Sequence, residues 1–245
     1  MNRLPLLDAE AWDRFPDPCH ALAEPNGLLA FGGDLSPRRL LAAYSLGVFP
    51  WFGEHEPILW WSPDPRCVFH TADLRINRSL RRQLRDKPWR LTVDHAFEQV
   101  VRACAAPRAS DAGTWLVPAM IAAYIALHEL GHAHSVEVWD GAQLVGGVYG
   151  VAVGQLFCGE SMFSGESGGS KLALMALADL LHQWGWPLLD SQVANPHTLS
   201  LGAQEMPRET YLREAARLAA LPGRVGHWRD AQVQLIQPCT MPSLR

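Results

Sequence analysis

LVGGVYGVAVGQLFCGESMFSGESGGSKLALMALADLLHQWGWPLLDSQV, running from Leu144 to Val193, is the stretch that decides the fold. It reads as a glycine-punctuated strand over about 144–154, a second over 155–163, a glycine-rich loop over 164–169, a helix over 170–184 and a strand over 187–193. The helix is apolar on nearly every side, so it has to be buried. A strand–helix–strand crossover is almost always right-handed and lays its two strands side by side in parallel. Glu160, near the end of one strand, and Asp190 and Gln192, on the next, are then expected at one edge of one sheet. The stretch predicts a pocket with two carboxylates and an amide, lined by Met and Leu. That set suits chemistry on an ester or amine and requires no metal and no bound cofactor.

Working outward, 134–139 alternates as a strand, and Asp140-Gly141 is a strong hairpin turn into the next one. Helices are expected over 78–85, with Leu80 and Leu84 on one face, over 96–104, from Pro118 to a stop at Gly131, and over 207–221. Residues 1–65 are rich in Pro, Gly and Trp. Their one clear helix begins at Ser36 as N-cap with Pro37 in the first turn, and it stops at Gly47. This segment reads as a small domain built around turns, and 66–245 as a larger, more regular one.

The chain has 245 residues and is 48% hydrophobic, enough for one large domain or two modest ones. Its formal charge of −4 means that a nucleic-acid partner has to be met by a local patch. The five cysteines, Cys19, Cys67, Cys104, Cys158 and Cys239, contain no CxxC pair, which predicts reduced thiols in a cytoplasmic protein. The first residues lack the apolar core of a signal peptide, and no apolar run approaches a membrane span.

Short motifs compete for attention. His128-Glu129-Leu130-Gly131-His132 matches HExxH, but Gly131 reads as the helix stop, which turns His132 away from His128. Gly165-Glu166-Ser167-Gly168-Gly169 matches GxSxG between a strand and a helix, with Asp190 and His197 in hydrolase order. Against it, the loop is long for a nucleophile elbow and no oxyanion motif precedes it. The same loop could bind an anion at the helix start or simply place Ser170 as a cap. Arg78, Arg81, Arg82 and Arg85 form a basic stripe at helical spacing, flanked by Arg75, Lys87 and Arg90, with only Asp73 and Asp86 nearby. It reads equally as a solvated face and as a phosphate-contacting surface.

Longer motifs are more specific. They are Gly32-Gly33-Asp34-Leu35-Ser36-Pro37, Phe49-Pro50-Trp51-Phe52, Trp60-Trp61-Ser62-Pro63-Asp64-Pro65-Arg66, His132–Trp139, Val145–Gly150 and Gly159–Ser164. With these, nearly the whole chain resembles the bacterial leucyl/phenylalanyl-tRNA–protein transferases. Two departures stand out. Asp190-Ser191-Gln192 replaces the usual Asp-Cys-Gln, and Gly168-Gly169 replaces an Asn-Ala pair, which is expected to loosen the loop.

The resemblance implies an α+β protein in which a small N-terminal domain packs on a GNAT-like acyltransferase domain with a mixed sheet. It implies transfer of Leu or Phe, and less well Met, from aminoacyl-tRNA to the N-terminal Arg or Lys of acceptor proteins, marking them for N-degron degradation. The expected protein is a cytoplasmic monomer with no cofactor, no metal and no membrane contact. The donor is an activated ester, so no ATP site is needed. Asp190 is expected to orient the amine through Gln192 and to help draw off its proton, and Glu160 to bind the terminal ribose or the acceptor's basic group. Val148, Met162, Leu174, Leu177 and Leu189 are candidates for the aminoacyl pocket. Trp51 and Trp115 resemble positions that hold the terminal adenine, and the arginine stripe would follow the acceptor stem. The alternatives are a serine hydrolase using Ser167 and a non-catalytic tRNA-binding protein.

Overall fold

The computed structural model describes residues 4–74, 87–106 and 116–231. The expected helix over 78–85, its four arginines and Trp115 lie outside these residues.

The chain forms a mixed α/β architecture on two sheets. The small sheet contains β1 (Leu6–Leu7), β2 (Leu28–Gly32), β3 (Phe49–Pro50) and β4 (Leu59–Trp61), in the order β1-β2-β4-β3. Helix α1 (Pro37–Ser45) connects β2 to β3. It starts where expected, at the N-cap Ser36, whose side chain makes no capping bond and whose N–H donates to Asp34 Oδ1 at 2.7 Å.

The large sheet runs β11-β5-β10-β9-β8-β7-β6. Its strands are β5 (Arg66–His70), β6 (Trp89–Val93), β7 (Ala133–Asp140), β8 (Gln143–Val153), β9 (Leu156–Ser164), β10 (Leu188–Asp190) and β11 (Gln204–Met206). The helices of this part are α2 (Phe97–Ala105), α3 (Pro118–Glu129), α4 (Gly169–Gln183), α5 (Pro196–Ser200) and α6 (Arg208–Ala219). Strands β9 and β10 are parallel neighbours joined through α4, as the crossover reading requires, and the other large-sheet pairings are antiparallel.

Alternation along β8 sends Tyr149 and Val151 to one face and Val148 to the other. The Val148 face packs on α4, whose Leu172, Leu174, Leu177, Leu180 and Leu181 are all nearly inaccessible to water. Each such leucine contributes about 1.5–3 kcal/mol relative to exposure. On the Tyr149 face, the core merges side chains of α1, α2, α3 and α6 with Leu29, Phe49 and Trp60 of the small sheet. The N-terminal segment therefore shares its core with the larger sheet.

Glycines set the local geometry at two helix ends. Gly131, at φ +78°, ends α3 with its N–H on the His128 carbonyl, and a Cβ there would meet the Gly226 backbone at 2.3 Å. His132 thus lies beyond the helix, and HExxH is not displayed on one helical face. At the start of α4, Gly168 adopts φ +96°, and a Cβ on Gly169 would lie 2.4 Å from the Val145 carbonyl. Gly169 lets the helix start sit backbone to backbone on β8. Ser164 Oγ then accepts the Ser170 N–H at 2.9 Å, and Lys87 pairs with Glu166 at 2.5 Å.

Candidate active site

Register builds the site. In the parallel β9–β10 pair Asp190 lies opposite Cys158, so two residues further along each chain Gln192 arrives level with Glu160. The Gln192 amide donates from Nε2 to Glu160 Oε1 at 2.9 Å. Gln192 takes a left-handed backbone, φ +56°, which is unfavourable by about 1–2 kcal/mol for a residue with a Cβ. Such a conformation persists when the surroundings over-determine it. Here the Gln192 N–H donates to Asp190 Oδ1 at 2.9 Å and its carbonyl accepts the Cys67 N–H at 3.0 Å.

Asp190 lies one layer below. It is fully buried, and Arg66 grips it in a two-pronged pair, Nε to Oδ1 at 2.8 Å and Nη2 to Oδ2 at 2.6 Å. The Tyr211 hydroxyl donates to Oδ2 at 2.7 Å. Arg66 also donates to the Gly47 carbonyl at 3.0 Å and lies over the rings of Phe49 and Tyr211. Burial pushes the guanidinium's pKa down, and Asp190 more than offsets this, holding it above its ordinary value. The expectation of two carboxylates lining one pocket is corrected: Asp190 is not among the residues that line the cavity, and its oxygens accept from Arg66, Tyr211 and the Gln192 N–H.

Glu160 is half-buried and receives three donors. The Tyr44 hydroxyl donates to Oε1 at 2.8 Å, the Tyr124 hydroxyl donates to Oε2, and Gln192 supplies the third. Burial lifts the Glu160 carboxyl to about 7; the tyrosines and Gln192 pull it down, while the neighbouring Asp190 charge adds to the rise.

Above this floor lies a cavity of about 900 Å³. Its walls include Phe49, Trp51, Phe69, Val148, Met162, Leu174 and Leu189, with Glu160, Gln192, Asn195 and His197 as polar groups. Trp51 is 44% exposed and leans on Trp61 with ring centroids 5.6 Å apart, presenting aromatic surface at the rim. The cavity thus gathers Glu160, Gln192, Trp51, Val148, Met162, Leu174 and Leu189. It leaves out Leu177, which is 1% exposed in the core around α4. Sequence reasoning missed Tyr44, Tyr124 and Tyr211 and gave Arg66 no role. Arg66 closes the Trp60–Arg66 motif, but no spacing signals that a residue of β5 will meet Asp190.

The hydrolase arrangement has no support here. Ser167 is not among the cavity residues, and its required acid, Asp190, is committed to Arg66 and Tyr211. Elsewhere, Asp94, His128 and His227 bring ligand atoms within 4.8 Å of one another. Asp94 already accepts from Ser135 N–H and Trp228 N–H and faces His134 Nδ1 at 2.8 Å, so its oxygens clasp the segment around Trp228.

The family model described as leucyl/phenylalanyl-tRNA protein transferase matches residues 68–216, and the model of that family's N-terminal domain matches 33–64. A leucyl/phenylalanyl-tRNA--protein transferase of Xanthomonas axonopodis pv. citri is 60% identical over 224 residues, covering 91% of this chain and 90% of its own. Its Shewanella woodyi counterpart is 50% identical over 235 residues, covering 96% and 99%. Among solved structures, a conserved protein of Bacteroides thetaiotaomicron aligns with TM-score 0.42 at 12% identity, over 67% of this chain and 57% of that one, too loosely to carry an argument. The chain belongs to the leucyl/phenylalanyl-tRNA protein transferase family.

Proposed function

We propose that this protein transfers Leu or Phe, and less readily Met, from aminoacyl-tRNA to the N-terminal Arg or Lys of acceptor proteins. On this reading it feeds an N-degron route and works as a cytoplasmic monomer, with a small domain over 1–65 and a GNAT-like domain over 66–245. The observation that carries it is the Glu160–Gln192 pair on the floor of an apolar cavity, in a chain of this family. Among the described residues no helix is long and apolar enough to cross a membrane.

The chemistry follows from the donor set. An ionised carboxylate can only accept hydrogen bonds, so Glu160 turns the NH₂ of Gln192 toward itself and the amide oxygen away from itself. That oxygen accepts from the incoming α-amine and aligns its lone pair on the ester carbonyl. A peptide α-amine has a pKa of roughly 7.7–8.0, so a useful fraction is neutral at working pH. Attack forms the C–N bond, collapse breaks the C–O bond to the ribose, and the proton shed by the amine ends on the departing hydroxyl. Asp190 enters as a positioning residue that holds the Gln192 backbone. The Glu160 charge favours the cationic acceptor terminus.

Val148, Met162, Leu174 and Leu189 form the aminoacyl pocket. Such walls exclude charged side chains strongly but separate apolar ones by only about 1–3 kcal/mol per methylene, hence the residual Met transfer. Trp51, with Trp115, stacks on the terminal adenine. Trp51→Ala is expected to raise the donor KM roughly 5- to 150-fold, the equivalent of about 1–3 kcal/mol of stacking. An unchanged KM would remove Trp51 from the donor site. Arg78, Arg81, Arg82 and Arg85 contact the acceptor-stem phosphates, so donor affinity should fall steeply with salt, and each Arg→Ala change should flatten the slope by about one unit. Incubation with labelled Leu-tRNA and an Arg-starting peptide tests the whole reading. Labelled peptide supports it, whereas release of free leucine without labelled peptide points to a hydrolase, and donor binding without turnover to a tRNA-binding module.

A further inference from the structure

Two tyrosines from different parts of the chain converge on Glu160. Tyr44 belongs to α1, in the segment of the small sheet, and Tyr124 to α3; both are almost wholly buried. Their hydroxyls lie 3.2 Å apart, and each donates to a different Glu160 oxygen. Helix α1 is also tied to the large sheet through Gly47, whose carbonyl accepts from Arg66 and whose α-carbon faces Tyr211.

We infer that Tyr44 and Tyr124 are positioning residues that act through Glu160 on Gln192, holding its amide oxygen toward the acceptor amine. This rests on the reading of Gln192 given above. The physical reason is a constraint on donors. While Glu160 is ionised, its partners have to be donors, and two phenols plus the Gln192 NH₂ provide them. Once Glu160 is protonated it carries a hydrogen of its own, and Gln192 can satisfy it equally well with its oxygen. The amide is then free to turn, and the amine loses its acceptor. Donors that favour the charged form keep the amide in the productive orientation, and both tyrosines do so. Tyr44 also makes the N-terminal segment part of the catalytic machinery.

The groups facing Glu160 set the pH dependence. They are Tyr44 from α1, Tyr124 from α3, Tyr149 from β8, Asp190 from β10, itself paired to Arg66 of β5, and Cys158 on the same strand. Burial holds the three tyrosines and Cys158 above their ordinary values, so they stay neutral in the working range. Glu160 itself titrates at about 7, and removing donors that pull it down moves it up.

The test is the pH profile of kcat/KM for wild type, Tyr44→Phe, Tyr124→Phe and the double variant, with Leu-tRNA and an Arg-starting peptide. In the double variant the acid limb should move up by about one pH unit, a loss of roughly tenfold at pH 6.5 that shrinks to within about threefold at pH 8.5. Each single variant should move part of the way. A fall by the same factor at every pH, with or without a lower Tm, would mean a structural role and overturn the inference, as would an unshifted profile. Glu160→Gln separates the two levels. If it turns over at the wild-type rate, the reading of Glu160 and Gln192 as the site fails; if it is slow while the tyrosine variants keep an unshifted limb, only the tyrosine inference fails.

Discussion

Gln192→Ala is expected to lower kcat by about 10²–10⁴-fold while leaving the fold intact. The side chain is only half-buried, lines the cavity and has one side-chain partner there, Glu160. Truncating it removes the acceptor for the α-amine but not the backbone bonds that hold the turn, since those run from the Gln192 N–H to Asp190 and from the Cys67 N–H to the Gln192 carbonyl. The loss should appear in kcat rather than in donor KM, because the apolar walls and Trp51 remain. Single-turnover transfer with saturating Leu-tRNA measures it, and a decrease of less than about tenfold would remove Gln192 from the chemical step. Glu160→Gln should be slow as well but more stable above pH 7. The folded-state pKa of Glu160 is raised, so its protonated form stabilises the fold below about 4.5, and that contribution disappears as pH rises through about 7. A neutral amide avoids the loss, and comparing Tm at pH 5 and pH 8 reads the sign directly.

Asp190→Ala should have the largest effect on stability. Removing one partner of a buried ion pair leaves the other charge unpaired in a medium that cannot solvate it, a loss of about 3–5 kcal/mol. For a chain of this length that corresponds to a fall in Tm of roughly 6–20 °C. Arg66 is 1% exposed and Asp190 not at all, so water cannot replace the missing carboxylate. The same substitution removes the Oδ1 acceptor of the Gln192 N–H, so activity should fall even where the protein remains folded. The paired change Arg66→Met with Asp190→Leu distinguishes these effects. It takes out both charges, and such replacements are often neutral or stabilising, so much of the lost Tm should return. Turnover should not return, because the Gln192 N–H then lacks its Asp190 acceptor and only the Cys67 bond still holds the turn. Recovery of both would make Asp190 a fold residue alone.

The crossover was legible because two periodicities agreed: strands of alternating or apolar pattern on either side of a helix with no polar face. The hairpin at Gly141 and the α3 stop at Gly131 were legible because a positive φ strongly favours glycine. Trp51, Val148, Met162, Leu174 and Leu189 line the cavity, but Leu177, on the same helix as Leu174, faces the core. That difference depends on how α4 is rotated against β8, which the close contact between Gly146 and Gly169 decides. Tyr44 and Tyr124 carry no local signature. A tyrosine in an amphipathic helix such as α1, or in a mostly apolar one such as α3, reads as core, and its partner is 116 residues away in one case and 36 in the other.

From the chain alone came helices α1, α2, α3, α4 and α6, strands β7 to β10, the parallel pairing of β9 and β10, and the meeting of Glu160 with Gln192, since local periodicity and the handedness of a crossover suffice for these. Tertiary packing alone decided that Asp190 is withdrawn from the cavity, that Arg66 and Tyr211 hold it, and that a helix of the N-terminal segment donates to Glu160. Those outcomes depend on charges and hydroxyls losing their water together, and where that happens is a property of the assembled core.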